Sequence, residues 1–265
     1  MKDSNSQNNM KGRTLVISGA TRGIGKAILY KFAKNGVNLA FTYNKNEEEA
    51  SKIAKDIETT YKVKARFYPL NILEPEQYIE LYNKIDKDFD RVDFFISNAI
   101  IYGRSVVGGF APFMRLKPEG LNNIYTATVL AFVVGAQEAV KRMQKIGEGS
   151  IISLSSTGNL VYMPNYAGHG SSKNAVETII KYAAQDLGEF NIRVNAVSGG
   201  PIDTDALKAF PDYNEVKAKV EEQSPLRRMG QPEDLAGAAY FLCDSTQSGW
   251  LTGQTIVIDG GTTFK

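Results

Sequence analysis

The chain has 265 residues, 43% hydrophobic and 23% charged, with a formal net charge of +2. That length buries a sizeable core, and the near-average composition excludes disordered, collagen-like and coiled-coil classes, while so small a charge leaves no footprint for nucleic acid. A single cysteine, Cys243, and a single histidine, His169, exclude a disulfide framework and a Cys/His zinc site, so no metal is expected.

Residues 1–11 are polar, rich in Asn and Ser, and lack an apolar h-region. They read as a disordered tail rather than a secretion signal, and the protein is expected to be cytoplasmic. From residue 12 to 265 short β-branched runs alternate with amphipathic segments, which predicts one α/β domain: a Rossmann-like, doubly wound parallel sheet of about seven strands with helices on both faces. Expected strands are Thr14–Ser18, Val37–Tyr43, Lys64–Tyr68, Asp93–Ser97, Ser150–Ser155, Arg193–Val197 and Thr255–Ile258. Helical patterns span Ile24–Lys34, Glu47–Tyr61, Pro75–Phe89, Glu119–Ile146, Asn165–Phe190 and Pro232–Cys243. No apolar stretch approaches the roughly 20 residues of a membrane helix. Residues 203–228 interrupt the alternation and read either as a lid or as a solvated excursion.

The first strand leads into Gly19-Ala20-Thr21-Arg22-Gly23-Ile24-Gly25, a GxxxGxG turn at a helix start. Glycines let backbone N–H groups surround a pyrophosphate at a helix N-terminus, although the same residues also suit a plain tight turn. An NAD site places a carboxylate at the end of the second strand. Here Asn44 and Lys45 stand there, with no acid before Glu47, so Arg22 and Lys45 point to the 2′-phosphate of NADPH. Ile100, Ile101, Tyr102 and Phe110–Met114 follow the fourth strand, at the edge where such sheets bind ligands. With Ala206 and Leu207 of the lid they form a candidate acyl slot, or else aromatics that pack a loop down.

After the fifth strand come Ser156, Tyr162, Tyr166, His169 and Lys173. With the glycine turn, Ser97-Asn98-Ala99, Ser198-Gly199-Gly200-Pro201 and Gly253-Gln254…Asp259-Gly260-Gly261, they make residues 12–261 resemble the short-chain dehydrogenase/reductase family. Ordinary members carry Tyr-x-x-x-Lys, but the residue four before Lys173 is His169 and a tyrosine stands seven before, at Tyr166. Tyr-x6-Lys is the spacing of the enoyl-acyl-carrier-protein reductases of this family, and Tyr162-Met163-Pro164-Asn165-Tyr166 is most similar to their NADPH-dependent type III branch. The family's helix asparagine is missing too, with Thr128 near its place.

The resemblance implies that Tyr166 serves the enolate oxygen, that Lys173 holds the nicotinamide ribose, that Ser156 bonds on the cofactor side and that Tyr162 flanks the acyl chain. It also implies cofactor contacts from Asn71 and Ile72 near the adenine, Asn98 and Ala99 near the ribose, and Gly200, Ile202 and Thr204 near the nicotinamide and phosphates. The implied reaction is NADPH-dependent reduction of the trans-2 double bond of enoyl-acyl-carrier-protein in fatty-acid elongation, by a homotetramer. Two alternatives stay open: a carbonyl reductase of the same family, acting on 3-oxoacyl-acyl-carrier-protein or a hydroxysteroid with His169 or Tyr166 as acid, and an inactive NADP-binding sensor. Acyl carrier proteins are acidic, so Lys208, Lys217, Lys219, Arg227 and Arg228 form a candidate docking patch.

Overall fold

Strands made wholly of apolar residues need cover on both faces, and a parallel sheet between two helix layers supplies it. The computed structural model describes residues 9–101, 106–208 and 213–264. Seven parallel strands, β1 (Thr14–Ile17), β2 (Asn38–Tyr43), β3 (Ala65–Pro69), β4 (Phe94–Ser97), β5 (Gly149–Ser156), β6 (Ile192–Gly199) and β7 (Thr255–Ile258), lie in the order β3-β2-β1-β4-β5-β6-β7. Leu15, Ile17, Phe94 and Ile96 face one core, with Phe32 and Leu235 of the helices above. Val16 and Phe95 face the other, with Tyr78, Tyr82, Phe132 and Val176. The strand order reverses between β1 and β4, and the crevice that this opens beyond their carboxyl ends is where such sheets take ligands.

The first helices are α1 (Gly23–Lys34), α2 (Glu47–Tyr61) and α3 (Gln77–Asp88). The helix expected over Glu119–Ile146 is in fact three pieces: α4 (Pro118–Tyr125), a π-helical turn at Thr126–Leu130, and α5 (Ala131–Ile146). A π turn takes one extra residue, which favours sites where a side chain must be re-aimed; here it carries the buried Thr128. Next come α6 (Ala167–Leu187), α7 (Asp205–Lys208), α8 (Tyr213–Gln223), α9 (Pro232–Cys243) and α10 (Ser245–Ser248).

One expectation is corrected. The tail expected through residue 11 ends sooner, because Met10 is fully buried in the core and the Gly12 N–H donates to the Gly36 carbonyl at 2.8 Å. One apolar side chain is enough to dock the segment. In residues 203–228, read as a lid or a solvated excursion, the described parts contain α7 and α8; Asp203 accepts from the Tyr213 hydroxyl at 2.9 Å and pairs with Lys208 at 3.3 Å, and no residue of α8 is buried. Among the described residues no helix is long and apolar enough to cross a membrane.

Candidate active site

The glycine turn leaves β1 and is fastened to its neighbours before it reaches α1. Ser18 Oγ accepts from the backbone N–H groups of Asn98 and Ala99, each at 3.1 Å. Asn98 Nδ2 donates in return to the carbonyls of Ser18 (3.0 Å) and Gly19 (2.7 Å). Gly25 completes the joint, because a Cβ there would lie 2.6 Å from both Asn98 Nδ2 and the Gly19 carbonyl. Asn98, expected beside a ribose, thus spends its amide on shaping the turn.

The open side of the turn faces the crevice. A Cβ on Gly23 would meet only the Thr204 side chain, at 3.6 Å, so the turn and the start of α7 flank one gap. The first turn of α1 holds no acid, and Arg22 occupies its N-cap. Unopposed N–H dipoles beside a cation suit a pyrophosphate. Asn44 and Lys45 lie exposed just past β2, while burial and then Glu47, the nearest acid, raise the Tyr43 pKa. Past β3, Asn71 closes a turn by accepting from the Leu73 N–H at 3.1 Å, and Ile72 is buried. Ala99 follows β4, and Gly200 and the buried Ile202 follow β6. The residues expected to hold the cofactor therefore line one sheet edge, with Thr21 and Ile24 half-buried in the glycine turn. Their donors fit a dinucleotide.

The reactive groups gather at the head of α6. Asn165 takes a left-handed φ of +65°, and Tyr166 is the residue capping the helix. Its ring stacks on His169, with centroids 5.3 Å apart and planes 28° apart, and meets the Phe110 edge at 6.4 Å. Gly158 backs the same ring so closely that a Cβ would sit 2.6 Å from Tyr166 Cε1. Burial dominates and raises the phenol pKa, although Ser156 lowers it. The group is protonated at neutral pH.

Lys173 is 7% exposed, and its Nζ donates to the Leu154 carbonyl at 2.6 Å. Burial draws its pKa down to about 8, opposed by the charge of Glu177. His169 is held at about 4 by burial and by the Lys173 charge, so its imidazole is neutral through the physiological range. One donor, one cation and one neutral ring thus share a desolvated pocket.

Not every expected residue joins them. Tyr162 is 90% exposed, on the loop before the helix, and does not reach the cluster of Phe110, Tyr166 and His169. Tyr102 lies outside the described residues, as do 209–212; Leu207 is half-buried, and Ala206 lies in α7. Phe113 and Met114 are 82% and 89% exposed, so they do not pack their loop down. In the basic patch Arg228 makes a double contact with Asp234 (2.6 and 2.9 Å) and Lys217 pairs with Glu221, while Arg227 donates to the neutral Glu222 carbonyl and keeps its charge. Glu177 and Asn159, which brace the pocket, belong to no motif; their only sequence signal is proximity to Lys173 and Ser156.

A family model described as enoyl-(acyl carrier protein) reductase matches residues 19–263. The chain belongs to the short-chain dehydrogenase/reductase family. It is 33% identical over 252 residues to the 1-cyclohexenylcarbonyl-CoA reductase of Streptomyces collinus, covering 93% of this chain and 85% of that one. It is 29% identical to the 3-oxoacyl-[acyl-carrier-protein] reductase FabG of Aquifex aeolicus, covering 95% and 98%. A 7α-hydroxysteroid dehydrogenase solved with NADH and 7-oxoglycochenodeoxycholic acid superposes with a TM-score of 0.87 at 31% identity, covering 98% of each chain. This family member is an oxidoreductase.

Proposed function

We propose that this short-chain dehydrogenase/reductase uses NADPH to reduce the trans-2 double bond of enoyl thioesters, with enoyl-acyl-carrier-protein as the physiological substrate. The observation that carries the reading is the place of the phenol: Tyr166 caps α6 two turns before Lys173, and a neutral histidine fills the seat four residues before that lysine. In a ketone the hydride lands on the carbon bonded to the oxygen that takes the proton. In an enoyl thioester it lands on the β-carbon, while charge develops on a more distant thioester oxygen, so the acid must stand further off.

When bound, NADPH supplies the hydride. Tyr166 donates a hydrogen bond to the developing enolate oxygen, stabilisation of the oxyanion-hole kind, or hands over its proton. Lys173 holds the ribose hydroxyls and favours negative charge nearby. Phe110 and His169 shield the site from water, and Arg22 and Lys45 meet the 2′-phosphate. The Streptomyces relative, named for reduction of a cyclohexenyl thioester, supports this chemistry.

A second reading, carbonyl reduction, is favoured by the FabG and hydroxysteroid relatives. NADPH absorbance followed with crotonyl thioester, acetoacetyl thioester and a steroid ketone separates the two. Oxidation with the crotonyl compound alone is expected; oxidation with a ketone alone establishes the second reading, and tight NADPH binding without turnover leaves a sensor. In the same assay NADH is expected to work at least about tenfold less well, and Arg22→Ala to raise the KM for NADPH by a similar factor, the value of roughly 1.4 kcal/mol from a charge-assisted contact. Equal constants for the two cofactors overturn the NADPH assignment.

A further inference from the structure

Glu177 stands on α6 one turn beyond Lys173 and is half-buried. A glutamate on an amphipathic helix is ordinarily a solvated group, but this one is engaged. Its Oε1 accepts from the Ser155 hydroxyl and from Asn159 Nδ2, the latter at 2.8 Å. Those two donors bracket Ser156, Thr157 and Gly158. Ser156 Oγ accepts from the Gly158 N–H at 3.2 Å and opposes the burial that raises the Tyr166 phenol pKa, and Gly158 is the wall against which the Tyr166 ring lies. Asn159 is tied to the same helix a second time, through Asn174 Oδ1 at 3.1 Å.

We propose that Glu177 is a positioning residue for the reaction: a single carboxylate oxygen clamps both ends of the turn behind Tyr166 to the helix that carries Lys173. The proposal goes beyond the substrate reading, since it concerns how phenol and ammonium are held and not what they act upon. Displacing a reacting group by about an ångström costs on the order of a hundredfold in rate, so a clamp of this kind governs kcat more than cofactor affinity. The same carboxylate is the one charge, among the described residues, that raises the Lys173 pKa. The other groups around that lysine are the Leu154 carbonyl of β5 and His169 of its own helix, which stays neutral above about pH 4.

The test uses the full-length protein with Glu177→Ala and Glu177→Gln, reading kcat, the KM for NADPH, the pH profile from 6 to 9, and Tm. Glu177→Ala is expected to lose about 10- to 100-fold in kcat while the KM for NADPH stays within about twofold. Glu177→Gln keeps an amide oxygen that accepts both hydrogen bonds, so it recovers most of kcat at pH 7. Its alkaline limb nevertheless falls at lower pH than the wild-type limb, a change that a purely structural brace does not produce. Glu177→Ala with kcat within about twofold of wild type, or Glu177→Gln with an unmoved limb, overturns the proposal. Should the alanine variant fail to fold, Asn159→Ala removes one strap, and a kcat within about twofold of wild type there overturns the proposal. If the wild type turns over a ketone instead of the crotonyl thioester, the same ratios are read with that ketone. With no turnover at all, the pH dependence of NADPH affinity in Glu177→Gln decides. Failure of the substrate reading and failure of the clamp are thus distinct results.

Discussion

Tyr166→Phe is expected to lower kcat for crotonyl thioester reduction by about 10²- to 10⁴-fold, the usual range for loss of a positioned proton donor, with the KM for NADPH nearly unchanged. Phenylalanine keeps the ring, its stack on His169 at 5.3 Å and its edge contact with Phe110 at 6.4 Å, so only the hydroxyl is removed. Burial holds that hydroxyl protonated at neutral pH, and the neighbouring Ser156 is too weak an acid to replace it. His169→Phe makes the complementary experiment. It preserves an aromatic face for Tyr166 and deletes the imidazole, and kcat is expected to stay within about threefold. With His169 at about 4, kcat/KM of the wild type is flat from pH 5 to 7, without the inflection near 6.5 that an ordinary histidine gives. The reverse pattern, a large loss in His169→Phe and a small one in Tyr166→Phe, makes the imidazole the donor and removes the basis of the enoyl reading.

These two side chains also mark how far the sequence can be read. All seven strands lie within a residue or two of the runs that predict them, because strands covered on both faces are rich in apolar and β-branched residues; Phe94-Phe95-Ile96 is the clearest case, while β5 and β6 keep buried polar residues such as Ser153 and Asn195. The helices over Glu47–Tyr61 and Pro232–Cys243 begin and end where their patterns do, one with Asn46 accepting from the Glu49 N–H and the other with proline in its first turn. The π turn at Thr126–Leu130 is not legible. An inserted residue rotates the rest of the helix by about 100°, and the apolar run at 129–136 is too uniform to register the change. Spacing locates Tyr166, Lys173 and Ser156, since motifs are linear. It does not reveal that Tyr162 is exposed or that Arg228 is spent on Asp234, since both depend on what the fold brings alongside. Glu177 is invisible for the same reason: its two donors sit 22 and 18 residues before it in the chain.

Lys173→Met is the other substitution with a large expected effect, and here function and stability are predicted to move in opposite directions. Removing the ammonium deletes the group assigned to the ribose and to the developing charge, and kcat/KM is expected to fall by about 10³-fold, matching the loss of one strong electrostatic donor. The apo fold, however, carries this charge at a cost. With its pKa at about 8 in the folded chain and near 10.5 when exposed, Lys173 binds fewer protons folded than unfolded between those values. Stability contributed by this site therefore rises with pH across that window, and below pH 8 the buried cation is a net burden. Methionine has a similar length and no charge, so the Tm of Lys173→Met is expected at or above that of the wild type at pH 7, with the advantage shrinking as pH rises from 8 toward 10. The activity of the wild type should show the other side of the same titration: kcat/KM, which reports the free enzyme, declines as pH passes about 8. A lysine that served only to pack the helix would give a lower Tm on replacement and no alkaline limb, because its cost and its use would then not reside in the same proton.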